Sequence, residues 1–253
     1  MKPLIMGILN TTPDSFFDGG KYNSLPQALK RAGQILSEGG NIIDIGGQST
    51  RPGAKDLDEE TEIIRTAPVI KEIKRQFPQA VISVDTFHYK TALAALEQGA
   101  QIINDVSGLK DERLAKLAAE FNTKLVIMHA RGTPETMAKL CDYKDIFKEI
   151  YAFFEDKINT ALSYGVKREN IILDIGLGFA KTRQQNWELL ENCAYFNTLR
   201  LPLLIGASRK SFTDKSLETS LKCAQIAAEQ GAAYLRVHDV KETVAAIRGI
   251  YDK

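Results

Sequence analysis

Carboxylates, amides and cations recur where short apolar runs end. Asn10 closes the run Leu4–Leu9, Asp44 lies in Asn41–Ile45, Asp85 follows Ala80–Val84, and Asn104 and Asp105 lie in Gln101–Val106. His129 follows Lys124–Met128 and Asp174 closes Asn170–Asp174. Arg209 and Lys210 follow Pro202–Ile205, and Arg236, His238 and Asp239 surround Tyr234–Val237. Polar groups inside apolar segments are costly unless partnered, so this placement needs a reason. Guanidinium, imidazole and ammonium groups together can hold a phosphate or diphosphate. Arg236 and His238 are two residues apart, which on a strand turns both to one side. Lys210 and Ser211 would adjoin them.

Blander readings stand beside these. A single Asp at a strand end often caps a helix or anchors a loop, and Asp44 and Asp105 are read that way. His88 and His129 can be loop-orienting residues. Gly176-Leu-Gly-Phe-Ala-Lys-Thr182 resembles a phosphate loop, but Ala180 stands where a glycine must precede the lysine, so that pattern fails. The GxGxxG dinucleotide pattern fails too, because Lys181 holds its last position. Cys141, Cys193 and Cys223 are far apart without CxxC spacing and read as idle thiols in a reducing compartment.

The elements that must position these groups follow from hydrophobic pattern. Eight apolar runs, rich in Ile, Leu and Val and without period-two alternation, suit parallel strands buried on both faces. Helix-period stretches lie between them at Leu25–Leu36, Glu59–Phe77, Thr91–Leu96, Glu112–Phe121, Tyr143–Tyr164 and Val240–Tyr251. Gly39, Gly99, Gly165 and Gly231 stop several of them just before the next run. Strand and helix alternating eight times predicts a single-domain α/β protein, a (β/α)8 TIM barrel over residues 1–253, with a doubly wound open sheet as the alternative. In a barrel the carboxyl ends of the strands share one mouth, so the scattered polar positions would converge there.

The 253 residues carry a formal net charge of +1, with 44% hydrophobic and 26% charged side chains. No global field favours nucleic acid or an anionic membrane, so any anion binding must come from local clusters. The apolar start Met1–Leu9 is too short for a secretory signal, and no run reaches the roughly 18 residues of a membrane span, so a cytoplasmic protein is expected.

Six segments together resemble the dihydropteroate synthase family along nearly the whole chain. They are Gly7–Gly20, Asp44–Ala54, Ile82–Thr86 with Ile103–Gly108, Met128–Met137, Asp174–Thr182, and Ile205–Phe212 with Arg236-Val-His-Asp239. Ser-Thr-Arg-Pro-Gly at 49–53, Ser-Arg-Lys-Ser-Phe at 208–212 and Arg-Val-His-Asp at 236–239 are the most specific.

The resemblance implies condensation of a dihydropterin diphosphate with p-aminobenzoate in folate synthesis, by dissociative displacement and with Mg²⁺. It implies that Asp85, Asn104, Val106, Met128, Asp174, Phe179, Lys210 and Arg236 bind the pterin. Asn10, Arg51, Arg236 and His238 would hold the diphosphate, Asn10 through Mg²⁺. Phe16, Thr50, Pro52, Phe179, Lys210 and Ser211 would form the p-aminobenzoate pocket, which sulfonamides mimic. Lys210, Asp85, Asp174, Arg51 and Asp18 would be the catalytic set. A homodimer is implied as well. Alternatives are a non-catalytic pterin-binding paralogue or a pterin-binding methyltransferase domain.

Three features depart from the family's common bacterial pattern. Gln48 stands where Glu is usual, and Ile175 replaces a proline after Asp174, which predicts a looser turn there. The stretch from Phe212 to Ala224 is short, which puts the following helix, and a dimer built on it, in question.

Overall fold

A computed structural model describes residues 2–11, 24–48, 57–133 and 135–251. Eight parallel strands close into one barrel in sequence order. They are β1 (Leu4–Asn10), β2 (Ile42–Gly46), β3 (Val81–Asp85), β4 (Ile102–Asp105), β5 (Lys124–Met128), β6 (Ile171–Asp174), β7 (Leu203–Ile205) and β8 (Tyr234–Val237). Pairing of β8 with β1, Leu4 opposite Tyr234 through Gly7 opposite Val237, completes the closure and excludes the open sheet. The helices are α1 (Ser24–Ser37), α2 (Glu59–Gln76), α3 (Tyr89–Glu97), α4 (Arg113–Glu120), α5 (Ile146–Ser163), α6 (Arg183–Glu191), α7 (Leu217–Glu229) and α8 (Val240–Tyr251).

Two helices lay outside the periodic stretches. α6 is largely polar but begins on a complete capping box, Thr182 and Gln185 each bonding the other's backbone. α7 is present at 13 residues, so the short connection does not remove the helix after β7. Ser216 caps it, accepting from the Thr219 amide at 3.1 Å. Asp214 and Lys215 adopt φ +53° and +56°, and these two left-handed residues turn the chain sharply into the helix.

The strands carry a two-residue alternation that their uniform hydrophobicity hides. Ile43, Ile45, Ile103, Leu125, Ile127, Ile171, Leu173 and Leu235 face the helices in the main core. Met6, Ile42, Ile102, Val126, Ile172, Leu204 and Tyr234 form a separate buried cluster filling the barrel. Positions two further along point to that same interior. They are Asp44, Asn104, Met128, Asp174 and Arg236. The apolar plug is the floor on which the polar mouth stands.

Candidate functional site

The centre of the mouth is a guanidinium between two carboxylates. Arg236 Nε donates to Asp44 Oδ2 at 2.6 Å, and its Nη2 donates to Asp85 Oδ2. Asn104, opposite Asp85 in register, donates its amide to Asp44 at 3.3 and 3.4 Å. Asp44, Asp85 and Asn104 are all buried. Burial raises the Asp85 carboxyl above its usual range, with Arg236 opposing. Burial also works against charge on Arg236, but Asp44 and Asp85 overcome it and hold the guanidinium above its ordinary value. Asp85 Oδ1 and Asn104 Oδ1 are both fully buried with no hydrogen-bond partner. Two neighbouring acceptors in that state call for N–H donors from outside the chain, since an unmet buried polar atom costs about 1–3 kcal/mol.

Across the mouth stand Asp174 and Lys210. Asp174 Oδ1 accepts the Gly176 amide at 2.7 Å. Its carboxyl is pushed up by burial, with Lys210 and that amide opposing. Lys210, on the β7–α7 connection, donates Nζ to the Leu177 carbonyl and lies 4.6 Å from the centre of the Phe179 ring. Burial lowers its ammonium to about 8, partly offset by Asp174. Its position over an aromatic face and beside two acids makes it a cation confined to the mouth.

The β6–α6 turn is tight rather than loosened by Ile175, which is fully buried in the main core. Gly176 has φ +67°, and a Cβ there would lie 2.0 Å from the His129 carbonyl oxygen. Glycine is required at that contact.

The remaining expected residues sit around this centre. Met128 is opposite Asp174 in register, and Val106 follows β4 half-buried. Asn10 ends β1 half-buried, its side chain without a hydrogen bond among the described residues. His238 lies just past β8, its Nδ1 3.0 Å from Ser208 Oγ and its carbonyl accepting from Arg31 at 2.6 Å. It is therefore fastened to the β7 connection rather than set in the strand beside Arg236. Arg236 keeps only Nη1 without a described partner. Ser211 is exposed at the start of a short turn. Arg209 is drawn off to Asp239 at the surface. Phe16, Asp18, Thr50, Arg51 and Pro52 lie outside the described residues.

Asp105 faces away from the interior and accepts the Ser107 and Leu109 amides at 2.8 and 2.5 Å, as a loop anchor does. Asp44 differs from the loop-anchor reading, because it is the inner partner of Arg236. Its signal in the sequence was parity: it is two residues beyond Ile42 on the inward face. His129 is buried and orients a loop, with Nδ1 3.1 Å from Lys181 Nζ. Lys181 itself, 8% exposed, had no signal in the sequence beyond spoiling a dinucleotide pattern.

Among the described residues no group of three or more His, Cys, Asp or Glu side chains could hold a metal ion. A lone amide oxygen at Asn10 nevertheless fits Mg²⁺, which prefers hard oxygens and commonly binds through one or two protein groups, waters and substrate phosphates. No helix among the described residues is long and apolar enough to cross a membrane.

The chain matches the family described as pterin binding enzyme over residues 6–238. It is 43% identical to the dihydropteroate synthase of Escherichia coli (strain K12) over 254 aligned positions, covering 97% of this chain and 90% of that protein. A Yersinia pestis dihydropteroate synthase solved with a sulfonamide drug complex superposes with a TM-score of 0.93 at 39% identity, covering 99% of this chain and 94% of the other. The Xanthomonas albilineans enzyme solved with 7,8-dihydropteroate gives 0.88 at 32% identity, covering 99% and 93%. With strand order, mouth chemistry and overall sequence in agreement, this chain belongs to the dihydropteroate synthase family.

Proposed function

We propose that the mouth joins a dihydropterin-6-ylmethyl diphosphate to p-aminobenzoate, giving 7,8-dihydropteroate and diphosphate. The observation that carries the site assignment is the pair of buried, unpartnered acceptors on Asp85 and Asn104. A pterin edge presents N–H donors in the same plane, and Asp174 across the mouth supplies a third acceptor. Met128 and Val106 provide apolar walls, and Lys210 Nζ faces the ring's own acceptors.

The C–O bond between the pterin methylene and the diphosphate breaks first, its electron pair leaving with oxygen. The resulting cation is delocalised into the pterin, and the buried carboxylates of Asp85 and Asp174 favour that positive charge. The p-aminobenzoate nitrogen, neutral near pH 7, forms the C–N bond with its lone pair and then releases a proton to solvent. Arg236 Nη1, His238 and Arg51 hold the diphosphate, and Asn10 would hold Mg²⁺, which would supply charge neutralisation there. The resemblance assigns Phe16, Thr50 and Pro52, with Phe179, Lys210 and Ser211, to the arylamine and Asp18 to the catalytic set; water must be kept from the cation, which it would otherwise trap.

The homodimer expected from the resemblance is proposed to use the outer face of α7, where Leu217 is 41% exposed. Light scattering on the eluted protein reads its mass. A cytoplasmic location is part of the same reading.

The test is to incubate the purified protein with dihydropterin diphosphate, p-aminobenzoate and Mg²⁺ and to follow dihydropteroate by chromatography. Product that requires all three components supports the reading. Binding of the pterin without product would favour a non-catalytic paralogue instead.

A further inference from the structure

Side chains hold many of the backbone polar groups in the β6–α6 connection. Lys181 Nζ donates to the Gly176 and Phe179 carbonyls, both at 3.0 Å. Lys210 takes the Leu177 carbonyl, and the Tyr143 hydroxyl donates to the Ala180 carbonyl at 3.0 Å. Asn186 accepts the Gly178 amide at 2.6 Å and donates to the Lys181 and Thr182 carbonyls. Such a short segment, with φ positive at Gly176, Gly178 and Ala180, would not keep this shape by local preference alone.

Lys181 is the hub. An ammonium has three protons to donate and accepts nothing, and the neutral amine that burial favours above about 7 still has two for the carbonyls. Here the nitrogen meets the two carbonyls and His129 Nδ1 at 3.1 Å. As an ammonium it makes that third bond to a neutral His129 with its proton on Nε2. Burial, with Lys181 and Arg131 adding to it, drives that imidazole down to about 2, so it is neutral at working pH. Through Phe179 the hub sets the ring beneath Lys210, and through Gly176 it fixes the amide that holds Asp174. Lys181 is not in the mouth itself, since its three protons are spent on the turn.

We propose that Lys181 is a positioning residue for arylamine capture, acting by clamping the β6–α6 turn so that the Phe179 ring and the Leu177 carbonyl are held in place for Lys210. This rests on the synthase reading above for its catalytic consequence, but not for its structural one.

The experiment uses Lys181→Met in the full chain with two readouts. Hydrogen–deuterium exchange without substrates should show faster exchange of the 176–180 amides, by roughly tenfold or more, with the barrel strands unchanged. Steady-state kinetics should show KM for p-aminobenzoate raised roughly tenfold, with a smaller rise for the pterin diphosphate, which Asp174 holds through the same turn. Unchanged exchange at 176–180 overturns the proposal. So does faster exchange with both KM values intact, or activity lost only in proportion to unfolded protein. If Lys181→Met does not fold, Tyr143→Phe releases the same turn at Ala180 and should give the same split in weaker form; its absence overturns the proposal equally. Wild-type protein that makes no dihydropteroate would sink the synthase reading, and the exchange measurement would still decide the clamp.

Discussion

Arg236 Nε lies 2.6 Å from Asp44 Oδ2, although 192 residues separate the two in the chain. Closure of the barrel through β1 and β8 brings them together, and the same guanidinium also reaches Asp85. Asp44 is fully buried, so its charge depends on that partner. Asp44→Asn should therefore lower unfolding stability by about 3–5 kcal/mol, the usual cost of breaking a buried pair. Urea denaturation measures it. A loss below about 1 kcal/mol would mean that the pair is not maintained in solution.

Lys210→Ala removes the cation over Phe179, and Asp174→Ala removes the acceptor opposite Asp85. Either change should reduce turnover by about a thousandfold or more, in line with deleting a preorganised charge from a water-poor site. Rates near wild type in either variant would refute the assignment.

Lys210 acts as an ammonium, and burial has lowered it to about 8. As pH rises through 8 the free protein loses that charge, so kcat/KM for the pterin diphosphate should fall along a one-proton limb. In Lys210→Arg the remaining activity should lose this limb, because a guanidinium stays charged. A wild-type profile flat to pH 9.5 would contradict the role.

Stability should depend on pH through the same buried lysines. Lys181 and Lys210 have folded values of about 7 and about 8 against an ordinary 10.5. Between those values the unfolded chain binds more protons, so stability rises as pH climbs from 7 towards 9. Above about 9 the buried thiols of Cys193 and Cys223, pushed up to about 12, oppose this gain, because the unfolded chain sheds their protons first, and above 10.5 the lysine contribution ends. A Tm maximum between pH 9 and 10.5 is the expected outcome, and a Tm falling steadily from pH 7 would show that these groups do not dominate.

Gly176→Ala puts a methyl 2.0 Å from the His129 carbonyl oxygen at φ +67°. The left-handed backbone alone costs about 1–2 kcal/mol, and the clash must move the turn that orients Asp174. The variant should stay folded by circular dichroism yet bind the pterin at least about tenfold more weakly by calorimetry. Unaltered pterin affinity would show that the turn does not set Asp174.

How much of the site could be read in advance varied by residue. Asp85, Asn104, Asp174 and Arg236 stood out because each is a polar group at or next to the end of an apolar strand, and such a placement has few explanations. Asp44 had the same signal but a plausible humbler one, and only its partner decided between them. His238 was expected beside Arg236 by two-residue spacing, but β8 ends at Val237, so strand geometry no longer applies to it.

The alternation of apolar runs, helix-period stretches and glycine stops was enough to set the order of the strands and of six of the helices, because burial on both faces and capping are local demands. The resemblance of six segments carried the chemistry. Closure, pairing and loop shape belong to the tertiary structure. β8 beside β1, Arg236 between Asp44 and Asp85, and Lys181 against His129 are contacts between positions whose separation no local pattern records. The uniform hydrophobicity of the strands hid which face each residue takes, since both faces of a barrel strand are apolar except where the mouth begins. Only the closed barrel distinguishes inside from outside, and that distinction puts the acids in one place.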